Sequence, residues 1–213
     1  MLKFQVVENY RKYYENFISN KRILDVGCGR GDFLKEYPLA FGFDVDKKSL
    51  RRARRKARKR IVIAESTNIP FKNNTFDVIH LEFVIEHLKD VRHSFEEMER
   101  VSKSNSSFII ITTNLLNPLV FLKSVFPSNI RKIHNPFYTS YHKANTLNKL
   151  DRTMKFIGYK RVATYMWTNR ESILKDDPIT RKFIVFFFDC ARLIFKRILP
   201  TTFLAIYSRT NRE

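Results

Sequence analysis

The stretch Ile23-Leu24-Asp25-Val26-Gly27-Cys28-Gly29-Arg30-Gly31-Asp32 decides the fold. The chain holds only 5 glycines, and three of them stand in this decapeptide. A ligand approaches a backbone closely only where side chains are missing, and glycine also permits the sharp turn that such a loop needs. A helix that starts at Asp32 would add free N–H groups facing the loop. The spacing is G-x-G-x-G followed by Asp, whereas a pyrophosphate-binding dinucleotide loop wants G-x-G-x-x-G, so the loop leans away from such a ligand. An acid follows at the end of the next apolar run, Asp44 in GFDVD, with Asp46 nearby. A carboxylate at that place can accept both ribose hydroxyls of an adenosine. A tight turn leading into a capped helix is the alternative reading of the same residues.

Outward from the loop, apolar runs alternate with helical patterns. Strands are expected at 22–26, 39–44, 60–64, 76–81 and 107–113, and helices at 32–37, 47–60 and 90–102. The aromatic spacing of Tyr10, Tyr13, Tyr14 and Phe17 predicts a helix over 5–19. In 47–60 the apolar positions are Leu50, Ala53 and Ala57, one narrow stripe at helical spacing. Further on, a helix over 146–157 closes at Gly158, strands fall at 160–167 and 202–209, and a long helix fills 179–199. Alternation of this kind implies right-handed βαβ crossovers. The expected architecture is an α/β, doubly wound, mostly parallel sheet with an antiparallel last strand and helical additions. One domain covers 1–213, with a core at about 20–170 and a helical insertion at about 171–199 before the last strand.

Composition narrows the function classes. Hydrophobic residues are 44% and aromatics 14% of 213 residues, which suits a packed globular domain. Cys28 and Cys190 have neither metal nor disulfide spacing, so no metal site is expected and a reducing cytoplasm fits. The N-terminus turns polar too early for a signal peptide, and no apolar run approaches the length of about 20 residues that a spanning helix needs. The formal charge is +19, a field that draws nucleic acid, anionic membrane or acidic substrates.

Five blocks in order resemble the class I S-adenosylmethionine-dependent methyltransferases, in particular the small-molecule group with ubiquinone and menaquinone methyltransferase relatives. They are ILDVGCGRGDFL (23–34), GFDVDKKSL (42–50), AESTNIPFKNNTFDVIHLEFVIEHLKD (64–90), SFIIITTN (107–114) and YHKANTLNKLDRTMKFIGYKRV (141–162). The resemblance implies a Rossmann-like fold and S-adenosyl-L-methionine as cofactor. It implies that Asp25 and the loop Gly27, Cys28, Gly29 and Gly31 hold the methionine portion. Asp44 then takes the ribose, Val45 packs on adenine, Glu65 accepts from the adenine amino group, and the Ser66 backbone meets the ring edge. Glu65 departs from the Asp usual in the family. Leu81 and Glu82 border the methyl-bearing sulfur.

Such chemistry needs an acceptor placed in line with an activated methyl group, in a dry pocket, with no metal or covalent nucleophile. An oxygen or nitrogen acceptor also has a proton to lose, and histidine is the usual agent. Three residues are candidates: His87 in VIEHLKD, and Tyr141 and His142 before the later helix, on the side where acceptors enter. His80 reads as packed within its strand.

The acceptor is read as a small molecule or a lipid- or glycan-linked compound. Segments 115–126 and 183–199 are apolar and, with the basic helix 47–60, support peripheral contact with an anionic membrane. The same helix is compatible with a solvated face, or with RNA as acceptor. No aromatic-interleaved basic motif accompanies it, which places nucleic acid second. A non-catalytic cofactor-binding module is the remaining alternative.

Overall fold

The computed structural model describes residues 10–114, 146–167 and 202–210. Seven strands form one sheet in the order β3-β2-β1-β4-β5-β7-β6. They are β1 (Ile23–Val26), β2 (Ala40–Asp44), β3 (Ile61–Ile63), β4 (Phe76–Glu82), β5 (Ser102–Thr113), β6 (Tyr159–Trp167) and β7 (Thr202–Arg209). The pairings among β1 to β5 are parallel, and β7 runs antiparallel to both β5 and β6. The expected sheet, with its antiparallel last strand, is the one observed.

The reason is legible in β1. All four of its residues are buried, as befits a central parallel strand covered on both faces. The helices that accompany the sheet are α2 (Asp32–Glu36), α3 (Lys47–Ala57), α4 (Val91–Val101) and α5 (Leu147–Phe156), together with a single turn α1 (Glu15–Ile18). In α3 the stripe Leu50, Ala53 and Ala57 is buried and the remainder faces outward. Helix starts are capped by acceptors: Asp46 receives the Lys48 N–H and Asp90 the His93 N–H.

Two expectations need correction. Residues 10–18 do not form one helix. A 3-10 turn, Tyr10–Tyr13, precedes α1, and the break falls at Tyr14. Tertiary contacts override the local period there: Tyr14 is driven against the His80 ring at 5.8 Å between centroids, while Tyr13 packs on Tyr165 at 4.3 Å. The fifth strand starts five residues early, at Ser102, because Ser102 pairs with Phe76 before the register shifts to Val78 and Ser107. Residues 1–9, the apolar segment at 115–126 and the insertion expected at 171–199 lie outside the described residues, as does the reading of 179–199 as a helix.

Candidate cofactor and acceptor site

The loop after β1 opens at the carboxyl edge of the sheet, where open α/β folds bind their ligands. Gly27, Gly29 and Gly31 all have positive φ, at 66°, 51° and 72°. Two of them do different jobs. A Cβ on Gly27 would stand 2.7 Å from Val84 Cγ2, so this glycine lets the loop pack against the segment after β4. Among the described residues a Cβ on Gly29 would meet nothing nearer than the Gly27 carbonyl at 4.0 Å, which leaves room beside Gly29 for a ligand. Cys28 lies between them, donates its N–H to Phe43 O at 2.9 Å and turns its side chain into the core over Gly42. Only its backbone can face a ligand.

Asp44 ends β2 beside this loop. Its Oδ2 accepts the Gly29 N–H at 2.9 Å and its Oδ1 accepts the Asp46 N–H at 2.8 Å. Both oxygens are thereby fixed in direction, with lone pairs left for two hydroxyls. Val45 follows with 49% of its surface exposed, and Ile63, register partner of Asp44, is 45% exposed. An apolar shelf therefore stands beside the carboxylate, as a flat heteroaromatic ring requires. Glu65 is exposed, and its carbonyl closes a turn by accepting the Asn68 N–H. Ser66 spends its hydroxyl on Ser94 Oγ at 2.8 Å, which leaves its backbone as the part available to a ring edge.

Across the loop, Asp25 is nearly sealed, and His80 Nδ1 lies 2.8 Å from its Oδ1. Burial pushes the Asp25 carboxyl up, the His80 contact draws it back, and the nearby Glu82 and Asp44 carboxylates push it up further. Three acids thus gather at one end of a chain whose formal charge is +19. Leu81 is fully buried in the core, so only its backbone can border the site, whereas Glu82 beside it is half-buried and accepts a hydrogen bond from Tyr10 Oη.

The residues after β4 form a 3-10 turn, Ile85–His87, whose last N–H donates to Val84 O at 2.9 Å. His87 therefore sits in a turn of its own, ahead of α4. Sequence reasoning chose His87 and passed over its neighbour. Glu86 is buried, accepts the Thr112 hydroxyl at 2.9 Å, and has its carboxyl pushed up by burial to about 7. Tyr141 and His142 lie outside the described residues. Among the described residues no three His, Cys, Asp or Glu side chains group as metal ligands do.

A glycine-lined gap with an anionic wall and an apolar shelf fits a nucleoside that carries positive charge. Comparison with known proteins gives the same direction. Residues 24–110 match the family model described as "Methyltransferase domain". Over that stretch the chain is similar to methyltransferase domains, and its fold is that of solved S-adenosylmethionine-dependent methyltransferases. S-adenosyl-L-methionine is the cofactor of this group, and the donor set described above suits it.

Among similar proteins, uncharacterized protein MJ1252 of Methanocaldococcus jannaschii is 30% identical over 113 residues, 53% of this chain and 45% of that protein. A demethylmenaquinone methyltransferase of Roseiflexus sp. is 34% identical over 91 residues, 38% of each chain. The chain therefore spans less than half the length of either relative. The crystal structure of a SAM-dependent methyltransferase from Archaeoglobus fulgidus superposes with a TM-score of 0.65 at 19% identity, over 93% of this chain and 90% of that one, a likeness of fold.

Proposed function

We propose that this chain transfers the methyl group of S-adenosyl-L-methionine to a small-molecule or lipid- or glycan-linked acceptor. The observation that carries the reading is the acidic, glycine-lined cradle. Asp44 accepts the Gly29 N–H, and Asp44 and Glu82 lie close enough to Asp25 to push its carboxyl up, in a strongly basic chain. When bound, the cofactor supplies a methyl group already activated on a cationic sulfur. Asp25 and Glu82 favour positive charge at one end of the cradle, and Asp44 with Val45 fixes the nucleoside at the other. Loop backbone at Gly27, Cys28, Gly29 and Gly31 closes on the methionine portion, while Glu65 and the Ser66 backbone read the ring edge. Leu81 backbone borders the transferring centre. His87, Tyr141 and His142 are assigned to the acceptor side, as groups that orient the acceptor or hold its proton. The chemistry is placement more than activation, worth several kcal/mol on the order of 7 or more in well-oriented systems.

The name of the Roseiflexus relative, a demethylmenaquinone methyltransferase, supports a small-molecule acceptor. A membrane-surface location is supported by α3. Lys47, Lys48, Arg51, Arg52, Arg54, Arg55 and Lys56 are exposed along it, and anionic lipid attracts about 1 kcal/mol per such residue near its surface. Among the described residues no helix is long and apolar enough to cross a membrane. RNA is the second reading, favoured by the same exposed cations.

The deciding experiment incubates the protein with labelled methyl donor and extract separated into lipid, small-molecule, protein and RNA fractions. Label in the lipid or small-molecule fraction is expected. Label confined to RNA would transfer the assignment to the second reading, and cofactor binding without label anywhere would leave a non-catalytic module. Flotation with anionic vesicles tests the location, and absence of binding at low salt removes it.

A further inference from the structure

We propose that His80 is a positioning residue for the cofactor: it holds Oδ1 of Asp25 so that Oδ2 is presented to the α-ammonium of the methionine portion. Asp25 and His80 are register partners on adjacent central strands β1 and β4. Their side chains meet at 2.8 Å with His80 fully buried and Asp25 4% exposed. The imidazole is clamped flat by Phe33, which stacks on it at 4.0 Å with the planes 10° apart. Tyr14 closes the far side. His80 Nε2 and Tyr14 Oη are buried and have no hydrogen-bond partner among the described residues.

That asymmetry fixes the tautomer. A buried N–H without an acceptor is costlier than a buried lone pair on an aromatic nitrogen, so the proton belongs on Nδ1, facing Asp25. The imidazole thus acts in one direction only, toward Oδ1. No described residue donates a hydrogen bond to Oδ2, and this oxygen is not sealed from solvent. Stability does not account for the pair. A buried polar pair of this kind is commonly matched or exceeded in stability by apolar residues of equal volume, and this one leaves two polar atoms unsatisfied beside it. An oriented acceptor for a cation, two residues before the glycine loop, does account for it.

The inference rests on the loop being a cofactor site, and the experiment separates the two. Binding of S-adenosylhomocysteine and of 5′-methylthioadenosine is measured by calorimetry. The second compound keeps the nucleoside and sulfur but lacks the amino-acid portion. His80→Phe should weaken S-adenosylhomocysteine by about tenfold or more, the range for a lost charge-assisted contact, and leave 5′-methylthioadenosine within about twofold. His80→Asn, whose amide can replace the Nδ1 donor, should recover most of the loss. Equal weakening of both ligands, or of neither, overturns the proposal. Should wild-type protein bind neither ligand, the cofactor reading itself fails. Wild-type protein gives an independent readout should His80→Phe not fold: the imidazole 15N resonances should shift on adding S-adenosylhomocysteine and not on adding 5′-methylthioadenosine. Identical spectra with both ligands would overturn the proposal as well.

Discussion

Thr112 Oγ1 donates a 2.9 Å hydrogen bond to Glu86 Oε2, tying the turn after β4 to the end of β5 in a space closed to water. One hydroxyl and a backbone N–H compensate only part of the carboxylate's desolvation, which is why its carboxyl stands at about 7 instead of the ordinary 4.5.

The sign of the pH effect follows. Between about 4.5 and about 7 the folded protein keeps a proton on Glu86 that the unfolded chain releases. Stability from this group is therefore full below the lower value and declines as pH rises toward the upper one. The total is roughly 3 kcal/mol at most. Glu86→Gln, which cannot ionise, should gain stability over wild type as pH goes from 5 to 8. Urea denaturation at pH 5 and pH 8 checks this, and a stability difference that does not change with pH would contradict it.

The two loop glycines should respond in opposite ways to alanine. At Gly29 a methyl group meets open space, so Gly29→Ala should cost only the left-handed backbone strain of about 1 to 2 kcal/mol. Its methyl would occupy the ligand's side and weaken S-adenosylhomocysteine by about tenfold or more. Gly27→Ala instead drives a methyl group to 2.7 Å from Val84 and should lose more stability, by about 1 to 3 kcal/mol of overpacking added to the strain. Thermal melts with and without ligand separate a binding defect from a folding defect.

How much of this was open to inspection in the sequence depends on which interactions decide each feature. The loop and sheet are local-pattern features: scarce glycine concentrated after an apolar run, and strands alternating with helices. Asp44 was legible because it ends the next strand at a fixed spacing. The N-terminal segment misled because Tyr10, Tyr13 and Tyr14 share a helical period, yet each is placed by a distant partner: Glu82, Tyr165 and His80 respectively. Glu86 was invisible for the same reason. A glutamate in IEHLKD reads as a surface residue, and only the approach of β5 buries it. His80 read as packed, which is correct, but its carboxylate partner across the strand pair appears only with the register.

Asp44 uses each carboxylate oxygen for a different backbone N–H, Gly29 on one side and Asp46 on the other. Asparagine can keep one acceptor and must turn an amide N–H₂ toward the other donor. Asp44→Asn should therefore loosen the loop and weaken S-adenosylhomocysteine by about ten- to a hundredfold, the cost of one unsatisfied donor plus one lost ribose contact. Calorimetric titration checks it, and unchanged affinity would remove Asp44 from the ribose role.

The basic segment 47–60 is not uniform, and one substitution pair exposes the difference. Arg54 is exposed on α3, and its replacement by alanine should change stability by no more than about 0.5 kcal/mol. Arg60, at the end of the same run, is turned back toward the sheet. Its guanidinium donates to the carbonyls of Leu34 and Ala40 at 2.8 Å and of Tyr37 at 3.0 Å, closing the turn between α2 and β2. Arg60→Ala removes the guanidinium from three carbonyls, of which Tyr37 O keeps the Ala40 N–H at 3.0 Å, so a loss of about 2 to 3 kcal/mol is expected. Arg60→Lys should recover little, because one ammonium cannot reproduce the planar fork that reaches three acceptors at once. Vesicle binding should follow the opposite order: charge reversal at Arg54 and Arg55 should weaken it, while Arg60→Ala, measured below its melting temperature, should leave it unchanged. If Arg60→Ala proved as stable as wild type, this anchoring role would be refuted, and Arg60 would join the exposed face.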